Sequence, residues 1–126
     1  MLTLKQDHSE LVVLSVLAQG PSYGYAISKD IAARSEGNFK LSPSGMYPLL
    51  TKLEKLGLVT TNWEEVKAAG ADPDSTGRKR KWYTLSPKGH KQLAKRIELH
   101  AQMQSILNGF VSPTQQATHL EENAAG

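Results

Sequence analysis

At Gly57 the sequence changes its period. Before it, apolar residues recur three or four apart: Leu11, Leu14 and Leu17 with Val13 alongside, then Ile27 and Ile31, then Met46, Leu49, Leu50, Leu53 and Leu56. That spacing lines one face of a helix. After it, "LVTTNWEEV" (Leu58 to Val66) is rich in β-branched and aromatic residues, and "RKWYTL" alternates, with Lys81, Tyr83 and Leu85 on one side and Arg80, Trp82 and Thr84 on the other. Those are strand signatures. Three helices must therefore come before a two-stranded hairpin.

Local punctuation sharpens the boundaries. Gly20 and Pro21 close the first helix, and Ser22 is placed to cap the second, which fades at Glu36, Gly37 and Asn38. Ser42 and Pro43 open the third as cap and first helical residue. Gly57 suits a left-handed helix end. "KAAGADPDSTG" (Lys67 to Gly77) has the composition of a loop. Ser86 and Pro87 restart a helix whose Leu93, Ile97, His100, Met103, Leu107 and Phe110 lie three or four apart, and Gly109 and Pro113 end it. The order helix, helix, helix, hairpin, long helix spells a mainly α fold with a two-stranded β wing, a winged helix-turn-helix carrying a long C-terminal helix. The expected divisions are 1–86 for the winged helix-turn-helix, 87–111 for the last helix, and 112–126 for a flexible tail with little to bury.

Charge is unevenly spread. From Gly77 to Arg96 there are eight cations and no acid, although the net charge of the 126 residues is only +3. Four of the eight are consecutive, Arg78 to Lys81, and run into the returning strand. A fixed row of cations on a wing beside a helix-turn-helix suits a phosphate backbone. A solvated face is the competing explanation of such a run.

Other chemistry is not supported. No cysteine is present, so neither a disulfide framework nor a thiolate metal site is available. His8, His90, His100 and His119 do not pair at helical ligand spacing, so no metal is expected. Glu64 and Glu65 alternate faces of a strand and cannot act as a carboxylate pair. No nucleophile elbow or phosphate-cradling glycine loop occurs, so neither catalysis nor a cofactor is expected. The longest apolar run, Leu11 to Ala18, is far short of the roughly 20 residues of a membrane span, and a cytoplasmic protein is expected.

Three stretches together resemble the PadR family of bacterial transcriptional regulators. "YGYAISKDI" (Tyr23 to Ile31) is similar to the family's opening of helix two. "LSPSGMYPLLTKLEKLGLV" (Leu41 to Val59) is similar to its recognition helix. "GRKRKWYTLSPKG" (Gly77 to Gly89) is similar to its basic return strand. The family often carries Gly-Thr where this chain has Ser44 and Gly45. The resemblance implies double-stranded DNA as partner and a homodimer through the last and first helices. It further implies repression, often relieved by a small molecule; a two-fold dimer would set its recognition helices about one DNA turn apart, so that each reads one half of an inverted repeat.

On that basis the candidate DNA contacts are Tyr25 and Lys29 on helix two, and Ser42, Ser44, Gly45, Tyr47, Thr51, Lys52 and Lys55 on helix three. Arg78, Lys79 and Arg80 are the candidates on the wing. Tyr47 serves either DNA contact or packing against the wing. The candidate dimer residues are Leu11, Leu14 and Leu17 on the first helix, with Ile97, His100, Met103, Ile106, Leu107 and Phe110 on the last. Trp63 and Trp82 are expected to pair across the hairpin. The alternative function is a winged-helix module for protein–protein assembly, its basic surface meeting an acidic partner.

Overall fold

The computed structural model describes residues 6–66 and 78–111. The loop expected at 67–77 and the tail at 112–126 lie outside the described residues. In chain order the elements are α1 (Gln6–Leu17), β1 (Ser22–Tyr23), α2 (Gly24–Arg34), α3 (Pro43–Lys55), β2 (Val59–Val66), β3 (Arg78–Leu85) and α4 (Pro87–Val111).

The period change at Gly57 falls where it was expected. Gly57 takes a φ of 75°, and the Leu58 N–H reaches back to the Leu53 carbonyl at 2.9 Å. A left-handed residue there ends α3 and turns the chain into β2, a conformation glycine adopts without a Cβ penalty. Ser86 caps α4 as its sequence suggests: its hydroxyl accepts the Gly89 N–H at 2.9 Å and donates to the Gly57 carbonyl at 2.6 Å. One serine thus ties the start of α4 to the end of α3.

Two expectations need correction. Ser22 does not cap α2, because Ser22 and Tyr23 form β1, which pairs antiparallel with β3 (Ser22 opposite Tyr83, Tyr23 opposite Trp82). The wing is therefore part of a three-stranded sheet of order β1-β3-β2. Trp63 and Trp82 do not pair either. The β2–β3 register sets Trp63 opposite Lys81 and Asn62 opposite Trp82, so the two indoles occupy opposite faces.

The chain divides into two compact units, Met1–Ala94 and Lys95–Gly126. The first has a single apolar core. Val13, Leu14, Leu17, Ile27, Met46, Leu50, Leu53, Leu58 and Tyr83 are buried in it, and Leu93 of α4 joins them. Three helices and one sheet face each bring an apolar side to it. The described part of the second unit is the rest of α4, where Leu99, Met103, Ile106, Leu107 and Phe110 are all exposed. No helix among the described residues is long and apolar enough to cross a membrane.

Candidate nucleic-acid interface

The connection between α2 and α3 is fixed by side chains bonding main chain. The Ser35 hydroxyl donates to the Ile31 carbonyl (2.8 Å) and accepts the Phe39 N–H (3.0 Å), and the Ser28 hydroxyl donates to the Leu41 carbonyl (3.0 Å). Glu36 and Gly37 take positive φ values and turn the chain. These contacts hold α3 against α2 by polar bonds in addition to the core.

α3 divides cleanly between faces. Met46, Leu49, Leu50 and Leu53 are buried, whereas Ser44, Gly45, Tyr47, Thr51, Lys52 and Lys55 are exposed. A helix needs one side for the core and leaves the other to solvent or a ligand. Ser42 opens α3 through its carbonyl, which accepts the Gly45 and Met46 N–H groups. Its hydroxyl makes no cap bond and lies 3.0 Å from the Ser44 hydroxyl instead. Two hydroxyls thus meet at the start of the exposed face. Thr51 donates its hydroxyl to the Tyr47 carbonyl at 2.9 Å, which leaves its oxygen lone pairs for an incoming donor.

Tyr47 lies half-exposed with its hydroxyl against the first residue of α2; a Cβ on Gly24 would come within 2.7 Å of it. Gly24 therefore lets α3 approach the α2 N-terminus closely. Tyr25 is 66 % exposed, and the Lys29 ammonium sits 5.4 Å from its ring centroid. Tyr47 of α3 thus meets α2 at Gly24, the residue before Tyr25.

Lys52 belongs elsewhere. Its ammonium is paired at 2.9 Å with the carboxylate of Glu10 on α1, and that carboxylate is almost fully buried. The sequence separation of 42 residues gave no local signal of this pair. Removing a partner from a buried charge takes away part of what offsets its desolvation. Lys52→Ala is therefore expected to destabilise the protein by about 2 kcal/mol, reduced from a fully buried pair because the ammonium is half-exposed. Lys55→Ala, on the solvent side, should change stability by less than about 0.5 kcal/mol. Urea midpoints of the two variants give the comparison.

On the wing, Arg78, Lys79 and Arg80 stand on β3, opposite Val66, Glu65 and Glu64 of β2. Folding thus brings acids beside cations that the linear charge count kept apart. Lys81, which the sequence did not single out, reaches the Glu54 carboxylate of α3 at 3.6 Å and lies over the Trp63 and Tyr83 rings. It connects the wing to α3. Burial pushes the Tyr83 phenol above its ordinary value, and the neighbouring Glu54 and Tyr47 add to the shift, so Tyr83 keeps its proton.

The candidate dimer residues separate into two groups. Leu14 and Leu17 are buried within the core of a single chain and have no surface to offer a second copy, which corrects the expectation for them. Leu11 is only partly covered. On α4, His100, Met103, Ile106, Leu107 and Phe110 are exposed. Leu99 was overlooked: Leu99, Met103, Ile106 and Phe110 follow steps of four, three and four, the spacing of a helix seam, whereas Ile97 lies off that line.

The model of the transcriptional regulator PadR-like family matches residues 13–95, which span both the helix-turn-helix and the wing. An uncharacterized protein from Lysinibacillus sphaericus is 25% identical over 106 residues, 84% of this chain and 90% of the relative. The transcriptional regulator YqjI of Escherichia coli (strain K12) is 38% identical over 60 residues, 46% of this chain but 29% of that protein. A transcriptional regulator from Clostridium thermocellum has the same fold, with a TM-score of 0.72 at 24% identity over 84% of this chain and 95% of that one.

Proposed function

Because the chain belongs to the PadR-like family of transcriptional regulators, whose members bind DNA and are not enzymes, we propose that it is a cytoplasmic repressor acting as a homodimer on an inverted repeat. Residues 1–86 serve as the DNA-binding part and residues 87–111 as the dimerisation helix. A small molecule acts as the release signal, an element supported by the family resemblance alone. The observation that carries the DNA-facing part is the division of α3: a packed inner face, and an outer face on which Ser44, Tyr47 and Thr51 are exposed. Helices that read the major groove do so with their N-terminal residues, and that is where these hydroxyls lie. Tyr25 in the first turn of α2, and Lys29 whose ammonium lies over its ring, serve as contacts to the adjoining phosphates.

The wing supplies the sequence-independent share. Replacing Arg78, Lys79 and Arg80 together by alanine should weaken binding to specific and random duplexes alike, since phosphate contacts carry no sequence information. The slope of log affinity against log salt should become shallower by about 0.9 for each phosphate no longer neutralised. Equilibrium titrations from low to moderate salt read this directly. An unchanged affinity and slope would make the wing a solvated hairpin.

A further inference from the structure

One face of the small sheet carries an arrangement that the wing's charge alone does not explain. Tyr23 on β1 stands opposite Trp82 on β3, and their rings meet edge to face with centroids 5.0 Å apart. Arg80 lies two residues before Trp82 on the same face, diagonal to Tyr23, with its guanidinium carbon 4.0 Å from the centre of the Tyr23 ring. Glu64 on β2 stands opposite Arg80, and its carboxylate accepts the Trp82 indole N–H. Three strands thus contribute to one cluster, and Tyr23, Arg80 and Trp82 are each half-buried in it.

Stacking on an aromatic ring uses the flat face of a guanidinium. Its N–H groups lie in the plane and stay available at the edge. A lysine over a ring gains no such orientation, because its ammonium is a point charge with no plane to align. Resting on proposed DNA binding, we infer that Tyr23 is a positioning residue. It orients Arg80 so that its planar fork engages a backbone phosphate of the duplex through two parallel hydrogen bonds. Trp82 braces the Tyr23 ring, and Glu64 braces Trp82. The short strand before the helix-turn-helix then has a role in DNA contact without touching DNA.

The test is a double-variant cycle, read by fluorescence anisotropy on one fixed-sequence and one random duplex at the same salt. Tyr23→Leu and Arg80→Lys are each expected to weaken binding about fivefold, by the same factor on both duplexes. Tyr23→Phe, which keeps the ring, should bind like the unaltered protein. Placed in an Arg80→Ala background, Tyr23→Leu should cause no further loss, because the group it aims is gone. Full binding by Arg80→Lys would overturn the inference, as would a Tyr23→Leu loss that persists in the Arg80→Ala background. The second outcome would mark Tyr23 as a folding residue only. A loss confined to the fixed sequence would assign Arg80 to a base edge and overturn the phosphate contact. Failure of the unaltered protein to bind any duplex would defeat DNA binding itself, and it is read before any variant is made.

Discussion

Met103→Asp is expected to convert the protein to a monomer and to remove specific DNA binding almost entirely. Met103 lies on the seam of Leu99, Ile106 and Phe110, and each of these side chains is at least half-exposed in the single chain. An isolated helix of this kind is marginal in water, and most of its stability must come from covering its apolar side. A second copy of the same seam is the cover that symmetry provides most simply, since a two-fold contact matches a surface to itself. An aspartate there faces burial without a partner, at a cost large enough to separate the copies. Once separated, each half reads only half an operator. Specific sites are commonly bound about 10³-fold or more tighter than random DNA, and a monomer should lose most of that margin. Ser105→Asp on the polar side of α4 should leave both properties alone. Sedimentation equilibrium at micromolar concentration gives the mass: 13.8 kDa is the single chain. That value for the unaltered protein would contradict the dimer.

Gly89→Ala should lower stability by about 3 kcal/mol, although alanine is the better helix former by about 1 kcal/mol. The reason is a backbone-to-backbone approach. A Cβ at Gly89 would overlap the Leu58 carbonyl oxygen and stand 2.7 Å from a Leu85 methyl. That carbonyl cannot easily yield, because it accepts the Ser86 N–H at 3.0 Å. Either α4 lifts away from the end of α3 or the Ser86 cap is lost. The matched control is Gly109→Ala on the same helix, where an added Cβ meets nothing within 4 Å. It should stabilise by about 0.5–1 kcal/mol. Urea unfolding at one fixed protein concentration compares them, since the proposed dimer would make stability depend on concentration. Equal effects of the two substitutions would show that propensity, not packing, governs this helix.

What was legible in the sequence is what local chemistry determines. The positive φ at Gly57 and the Ser86 cap with Pro87 each depend on residues a few positions apart, and they mark real boundaries. The division of α3 was legible for the same reason, because Met46, Leu49, Leu50 and Leu53 repeat strongly. What failed needed a partner distant in the chain. β1 has only two residues, and it exists because β3 pairs with it; nothing in "SY" announces a strand. The faces of Trp63 and Trp82 depend on a register between strands separated by residues 67–77, and a shift of one residue inverts them. Lys52 looked free because Glu10 belongs to another helix. Leu14 and Leu17 looked available because α1 is apolar on several sides, and periodicity cannot say whether one's own chain or a copy covers a side. Ile97 fits a loose three-or-four spacing from Leu93, and only the continuous seam through Met103, Ile106 and Phe110 picks out Leu99 instead.

The most direct test is selection of bound sequences from a pool of randomised duplexes by the full chain at about 0.15 M salt, where non-specific binding is weakened. A two-fold pair of recognition helices predicts recovered sequences that share an inverted repeat. Its half-site centres should be about 34 Å, one helical turn, apart. Within each half-site, Ser44→Ala or Thr51→Ala should relax the choice at one position. Recovery of a pool indistinguishable from the starting one would contradict sequence-specific repression, and recovery of a single unrepeated site would contradict the dimer.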